Sequence, residues 1–141
     1  MMSTESWPQP ALRLWTLAQR FQKFVAVGAF GLVVNQAGLF GLHDVASFDL
    51  VLASPLAILA SMVATFSLNE FWTWHDRGSG RIATRAVLYG AVNSGGLAIN
   101  YGVLALLVAE FEMHYLAANL VGAAVAAVWN FGVNNAVTWR A

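Results

Sequence analysis

Asparagine side chains recur inside long apolar stretches of this chain, at Asn35, Asn69, Asn100, Asn130 and Asn134. An amide carries both hydrogen-bond donors and an acceptor, so it can bond to a neighbouring helix or to the hydroxyl groups of a polar ligand. One interpretation is therefore structural, with amides joining helices. The other is functional, with amides forming a polar track for a sugar or phosphate group.

Charged residues at the edges of the same stretches add a second kind of chemistry. Guanidinium and ammonium groups can hold a lipid phosphate, or they can act only as topology signals that attract anionic lipid. Glu70 can hydrogen-bond sugar hydroxyls or take up a proton, but it can also simply reach water or pair with Arg77. The candidate residues for binding a lipid phosphate or sugar are Arg20, Lys23, Asn35, Asn69, Glu70, Arg85, Asn100, Asn130 and Asn134.

Nothing in the sequence suggests catalysis. The chain has no cysteine, no Gly-rich phosphate loop, no nucleophile elbow and no pair of carboxylates at a defined spacing. The histidines His43, His75 and His114 are expected on opposite sides of a membrane, so they cannot share a metal ion. We therefore expect no enzyme activity, no metal and no cofactor.

The composition indicates a membrane protein. Of 141 residues, 59% are hydrophobic and only 10% are charged, whereas a soluble domain has about 25% charged residues. The formal net charge is zero, which argues against a nucleic-acid-binding protein because such proteins carry a basic excess.

Four stretches without Asp, Glu, Lys or Arg predict the architecture: residues 24–43, 50–69, 86–109 and 113–139. Each is long enough to cross about 30 Å of hydrocarbon as a helix of about 20 residues. We expect the second helix to begin at Ser54-Pro55, because proline is well tolerated in the first turn, and to end near Trp74. The predicted fold is all-α, with four transmembrane helices.

The basic residues predict the orientation. Every lysine and arginine lies before the first span, between the second and third, or after the fourth. In a four-pass chain these places share one side of the membrane, which the positive-inside rule makes cytoplasmic. We therefore predict a multi-pass protein of the cell membrane with both termini in the cytoplasm. Trp72, Trp74 and Trp139 would form an aromatic belt at the inner headgroups.

The segment before the first span has two possible roles. Within this segment of residues 1–23, the apolar side chains between Trp7 and Lys23 are interleaved with arginine, glutamine and lysine, which suits an interfacial helix lying along the headgroups. It could equally be a cytoplasmic extension of the first span. The transmembrane domain is then residues 24–141.

A constant offset of 65 residues relates the two halves of the chain. It aligns several polar and aromatic residues: Arg20 with Arg85, Asn35 with Asn100, Asn69 with Asn134, Thr73 with Thr138 and Trp74 with Trp139. Each half contains two spans and enters from the same side, so the halves are predicted to be parallel repeats. Repeat one covers about residues 20–76 and repeat two about 85–141.

These hairpins resemble the GtrA-like family of small membrane proteins. Each ends in a Phe-x-x-Asn-x-x-x-Thr-aromatic segment, at residues 66–74 and 131–139, and the opening Phe24-Val-Ala-Val-Gly28 with Gly31 and Asn35 is similar to that family's first helix. The resemblance covers roughly Arg20 to Arg140. Members often carry a basic residue after the Asn of each segment, where this chain has Glu70 and Asn135.

The resemblance implies a function in making cell-surface polysaccharides. It implies translocation of a polyprenyl-phosphate-linked monosaccharide across the cytoplasmic membrane, with membrane lipids around it. A glycosyltransferase that makes the lipid is a possible partner, and a homo-oligomer is expected because four helices enclose little space. One alternative is a non-transporting anchor or subunit for a glycosyltransferase. Another is a small proton-coupled multidrug antiporter, which would need a carboxylate deep in the first helix; this chain has none there.

Overall fold

The structure is a computed structural model, and it describes residues 5–78 and 80–140. Within those residues all regular structure is helical. The four long helices are α1 (Gln9–Leu39), α2 (Leu50–Leu68), α3 (Ile82–Phe111) and α4 (Tyr115–Val133). Three short π-helical segments continue α1, α2 and α4 at Phe40–Val45, Asn69–Thr73 and Asn134–Thr138.

All four helices are long and apolar enough to cross a membrane. The candidate spans are Gln9–Val45, Leu50–Thr73, Ile82–Phe111 and Tyr115–Thr138. Large apolar side chains such as Val51, Val87 and Leu120 are 72 to 80% exposed, as expected for surfaces that face hydrocarbon. The predicted all-α fold with four transmembrane helices is confirmed.

The first helix begins well before the first charge-free stretch. It follows Pro8 and has Pro10 in its first turn, where the missing N–H group breaks no helical hydrogen bond. From Gln9 it runs without interruption to Leu39. The described part of the N-terminal segment is therefore mostly continuous with the first span.

The predicted start of the second helix at Ser54-Pro55 is wrong. The helix begins at Leu50, and the Asp49 side chain caps it by accepting a hydrogen bond from the Val51 N–H at 3.4 Å. Asp49 is a strong N-cap residue, and the apolar residues after it continue the helix. Pro55 consequently lies inside the helix.

The chain divides into two compact units, one ending at His75 and the other beginning at Asp76. In the first unit, α1 packs against α2 through small residues. A methyl group added at Gly31 would collide with the Thr65 side chain, and the Ser61 hydroxyl donates to the Gly31 carbonyl at 2.7 Å. Gly38 lies opposite Ala57 further along the helix. Close approach of small residues is the usual packing of helices in membranes.

In the second unit, α3 packs against α4 through glycine and asparagine. Gly96 lies directly against the Asn130 side chain, and Gly122 lies against Asn100. The Trp129 indole N–H donates to the Val92 carbonyl at 3.0 Å. Glycine is needed at Gly96 and Gly122 because a side chain there would occupy the space of the facing asparagine.

Candidate functional site

The π-helical segments after α2 and α4, Asn69–Thr73 and Asn134–Thr138, are called wide turns below. Each begins with an asparagine that stabilises it. In the first unit, the Thr73 hydroxyl donates to the Asn69 side-chain oxygen at 2.8 Å, and the Trp74 N–H donates to the Asn69 carbonyl at 2.9 Å. In the second, the Thr138 hydroxyl donates to the Asn134 side-chain oxygen at 2.6 Å. Both asparagines are at most 1% exposed, so their amides are structural parts of the turns.

The tryptophan after each turn packs inside its own unit. Trp74 meets Phe24 edge-on with ring centroids 5.8 Å apart, and Trp139 meets Tyr89 at 5.7 Å. Both tryptophans are 0% exposed. The predicted aromatic belt is therefore wrong for these two residues, because side chains buried in protein cannot lie among lipid headgroups. Trp72, 45% exposed, has an accessible ring.

Arg20 and Arg85 are buried at 8% and 7% exposure, an unusual state for an arginine in an apolar protein. The Arg20 Nη1 donates to the Thr73 carbonyl at 3.0 Å, and the Arg85 Nη1 donates to the Gly80 carbonyl at 3.1 Å. Because Thr73 also bonds to Asn69, three polar residues of the first unit form one connected group. Glu70, next to Asn69, is likewise buried at 8% exposure.

Arg77 places a basic group beside the second wide turn. Its Nη1 donates to the Asn135 side-chain oxygen at 2.9 Å and to the Trp139 carbonyl at 3.4 Å. Asn135 occupies a position at which the family resemblance predicts a basic residue. A guanidinium group from another part of the chain therefore reaches that position.

The asparagines further along the helices differ in their hydrogen bonding. The Asn134 Nδ2 donates to the Asn93 side-chain oxygen at 3.1 Å, which joins α4 to α3. Among the described residues, the buried Oδ1 atoms of Asn100 and Asn130 have no hydrogen-bond partner. Asn35 is half-buried in α1. Asn134 thus connects helices, whereas Asn100 and Asn130 keep acceptors that the fold itself does not use.

An open cleft in the first unit contains three residues that the sequence analysis did not select. Its lining is Gln19, Gln22, Lys23 and Trp72, and its volume is about 380 Å³. The Lys23 Nζ lies over the Trp72 ring, 5.6 Å from the ring centroid. The available sequence signal was the spacing of Gln19, Gln22 and Lys23, which places them on one face of a helix.

Comparison with known proteins gives two findings. Residues 23–139 match the family model described as GtrA/DPMS, transmembrane domain. The chain is also 30% identical over 120 residues to a dolichol-phosphate mannosyltransferase of Pyrococcus furiosus. That match covers 85% of this chain but 34% of the relative, so the chain spans about a third of that protein's length. By the extent of the family match, this chain belongs to the GtrA/DPMS transmembrane-domain family.

Proposed function

We propose that this protein translocates a polyprenyl-phosphate-linked monosaccharide across the cytoplasmic membrane for cell-surface polysaccharide synthesis. The observation that carries the proposal is that each unit of this family member contains a buried arginine, Arg20 in the first and Arg85 in the second. Buried charge in a membrane segment is rare and costly, so it usually has a functional reason.

Translocation requires polar groups of the protein to replace the water around the headgroup. Moving a phosphosugar through hydrocarbon costs several kcal/mol for each polar group that loses its hydrogen bonds. Arginines and Lys23 would hold the phosphate, and the half-buried residues Asn35 and Asn100, the latter through its Nδ2 donor, would hydrogen-bond to sugar hydroxyls. The polyprenyl tail would stay in lipid. A homo-oligomer would complete the enclosure, since four helices alone make a thin wall.

A parallel duplication and a cytoplasmic position of both termini belong to the same proposal. Contacts recur at the offset of 65 residues that the sequence predicts: Phe24 with Trp74 and Tyr89 with Trp139, and Gly31 with Thr65 and Gly96 with Asn130. This recurrence supports a common ancestry of the two hairpins. The cytoplasmic basic ends would then meet the lipid phosphate where it is made.

Reconstitution tests the proposal directly. The purified chain in liposomes with a fluorescent polyprenyl-phosphate glucose should exchange that lipid between leaflets faster than protein-free liposomes do. A double change of Asn35→Ala and Asn100→Ala should slow exchange at least tenfold, while Asn119→Ala, at an exposed position, serves as the control. Exchange no faster than in empty liposomes, from protein shown to be folded, would reject translocation.

The second candidate is a membrane anchor or subunit for a glycosyltransferase. It is favoured by one observation: the matched relative is named a mannosyltransferase, and this chain matches only 34% of it. Such an anchor would bind the glycosyltransferase and leave lipid exchange unchanged. Co-purification of the two proteins from membranes, together with inactivity in the liposome assay, would favour this role.

A further inference from the structure

We propose that the cleft lined by Gln19, Gln22, Lys23 and Trp72 binds the sugar-phosphate headgroup, with the sugar on the Trp72 ring and the phosphate at Lys23. The inference rests on the proposed function for its substrate class. It names a headgroup site in the first unit, separate from the buried arginines.

The geometry of the cleft suits a small polar ligand. Its volume of about 380 Å³ falls within the range of about 300 to 1,000 Å³ that is typical of ligand pockets. Gln19, Gln22 and Lys23 lie on one face of α1, because residues three and four apart are neighbours on a helix. Trp72 comes from the wide turn after α2. Two elements that pack together in the first unit therefore supply the walls.

Each side chain has a chemistry that a sugar phosphate can use. The face of an indole ring is electron-rich, so it attracts the C–H groups on the flat side of a sugar ring. The two glutamine amides provide donors and acceptors for hydroxyl groups. The Lys23 ammonium provides a positive charge for the phosphate and lies 5.6 Å from the centroid of the Trp72 ring.

The second unit does not carry the same residues. At the offset of 65 residues, the positions of Gln19, Gln22, Lys23 and Trp72 are occupied by Thr84, Val87, Leu88 and Val137. The second hairpin keeps its wide turn and buried tryptophan with these mostly apolar residues. Packing of a hairpin therefore does not require the polar set, which supports a ligand-binding role for it in the first unit.

Binding measurements on the full chain in nanodiscs test the site. The probes are polyprenyl-phosphate glucose and sugar-free polyprenyl phosphate. Trp72→Leu should weaken binding of the glucose lipid about tenfold and leave the sugar-free lipid within twofold, whereas Trp72→Phe should retain most of the affinity. Lys23→Gln should weaken both lipids about tenfold, because both carry the phosphate.

Matched variants separate the cleft from general surface effects. Trp15 is 47% exposed, close to the 45% of Trp72, so Trp15→Leu removes an equally accessible indole outside the cleft. Arg13→Gln removes one positive charge from an exposed position of the same helix. Both should stay within twofold of the unchanged protein. Equal losses for Trp15→Leu and Trp72→Leu, or for Arg13→Gln and Lys23→Gln, would overturn the inference.

Two further binding measurements show whether the headgroup belongs to a lipid or to a soluble sugar phosphate. Glucose 1-phosphate that binds as tightly as the glucose lipid, with the same Trp72 dependence, would support the headgroup chemistry but assign it to a soluble sugar phosphate. Phosphatidylglycerol that displaces the glucose lipid at equal concentration would overturn sugar recognition.

Failure of this inference can be told from failure of the proposed function. Leaflet exchange that is fast in the unchanged protein and equally fast in Trp72→Leu, with unchanged binding, would reject the cleft and keep translocation. Cleft-dependent binding without any leaflet exchange would keep the cleft and reject translocation.

Discussion

Substitution of Gly96 by alanine is expected to destabilise the second unit. The added Cβ would lie 2.7 Å from the Asn130 Cγ, whereas carbon atoms in contact prefer about 3.5 to 4.0 Å. Overpacking of this kind typically costs about 1 to 3 kcal/mol. Alanine recovers up to about 1 kcal/mol of intrinsic helix propensity over glycine. With that gain subtracted in full, the expected net loss in free energy of unfolding is about 0 to 2 kcal/mol, and the loss relative to an uncrowded Gly→Ala change is about 1 to 3 kcal/mol.

The same helix supplies a matched control. A Cβ at Gly102 would have no atom within 4 Å, so Gly102→Ala should be neutral or slightly stabilising. The measurement is reversible unfolding by increasing SDS in mixed micelles, followed by tryptophan fluorescence. Combining Gly96→Ala with Asn130→Ala should restore stability relative to Gly96→Ala, because the second change removes the atoms that collide with the new methyl group.

Two results would contradict the reasoning. If Gly96→Ala and Gly102→Ala differ by less than about 0.5 kcal/mol, the close contact of α3 with Asn130 is not formed. If the double variant is no more stable than Gly96→Ala, the loss does not arise from contact with Asn130.

Three other predictions concern the ends of the helices. Asn134→Ala should lower the free energy of unfolding by about 1 to 3 kcal/mol, because a buried amide with two side-chain hydrogen bonds is lost. In the same SDS titration, the control Asn119→Ala, at an exposed position, should change the free energy of unfolding little. Asp49→Ala should remove the α2 cap and cost about 0.5 to 2 kcal/mol, which thermal unfolding in detergent would detect; an unchanged melting temperature would contradict the cap. Because the chain has no cysteine, Ser47→Cys and Gly78→Cys provide single reporters: in intact cells an impermeant maleimide should label the first and spare the second, and the reverse pattern would invert the predicted topology.

The number of helices could be predicted from sequence because charges are excluded from hydrocarbon. Their ends could not, because an apolar stretch marks the membrane core and a helix can continue beyond it. The first helix begins at Gln9, although its charge-free stretch begins at Phe24. The second begins at Leu50, where Asp49 caps it, so that Ser54 and Pro55 lie inside the helix.

The spacing of small residues predicts packing only in part. At helical spacing, Gly28, Gly31 and Gly38 share one face of α1. Gly31 and Gly38 face α2, whereas a Cβ at Gly28 would meet no atom within 4 Å. Residues at helical spacing cover a strip of helix surface that is wider than the line of contact between two helices. The sequence therefore cannot say which residues of the strip lie at the contact.

The repeat offset directed attention to Arg20, Arg85, Asn69 and Asn134, which are all buried. The same criterion passed over Gln19, Gln22 and Trp72, because a search for paired positions discards residues that occur in one half alone. It also gave no way to know that Trp74 would be enclosed by Phe24, since an aromatic ring near a span end looks the same whether it faces lipid or protein.

The π-helical turns at the ends of α2 and α4 bear on how the chain evolved. A π-helical turn holds about one residue more than an α-helical turn, so insertion of a single residue into an α-helix can create it. The turns occupy matching places, Asn69–Thr73 and Asn134–Thr138, and each is fastened by an Asn–Thr pair. If the two halves arose by the predicted duplication, one insertion in an ancestral two-helix hairpin explains both π-helical turns. Insertion after the duplication would have had to happen twice. The bulge is then older than the doubling, and any surviving descendant of the lone hairpin should still carry it.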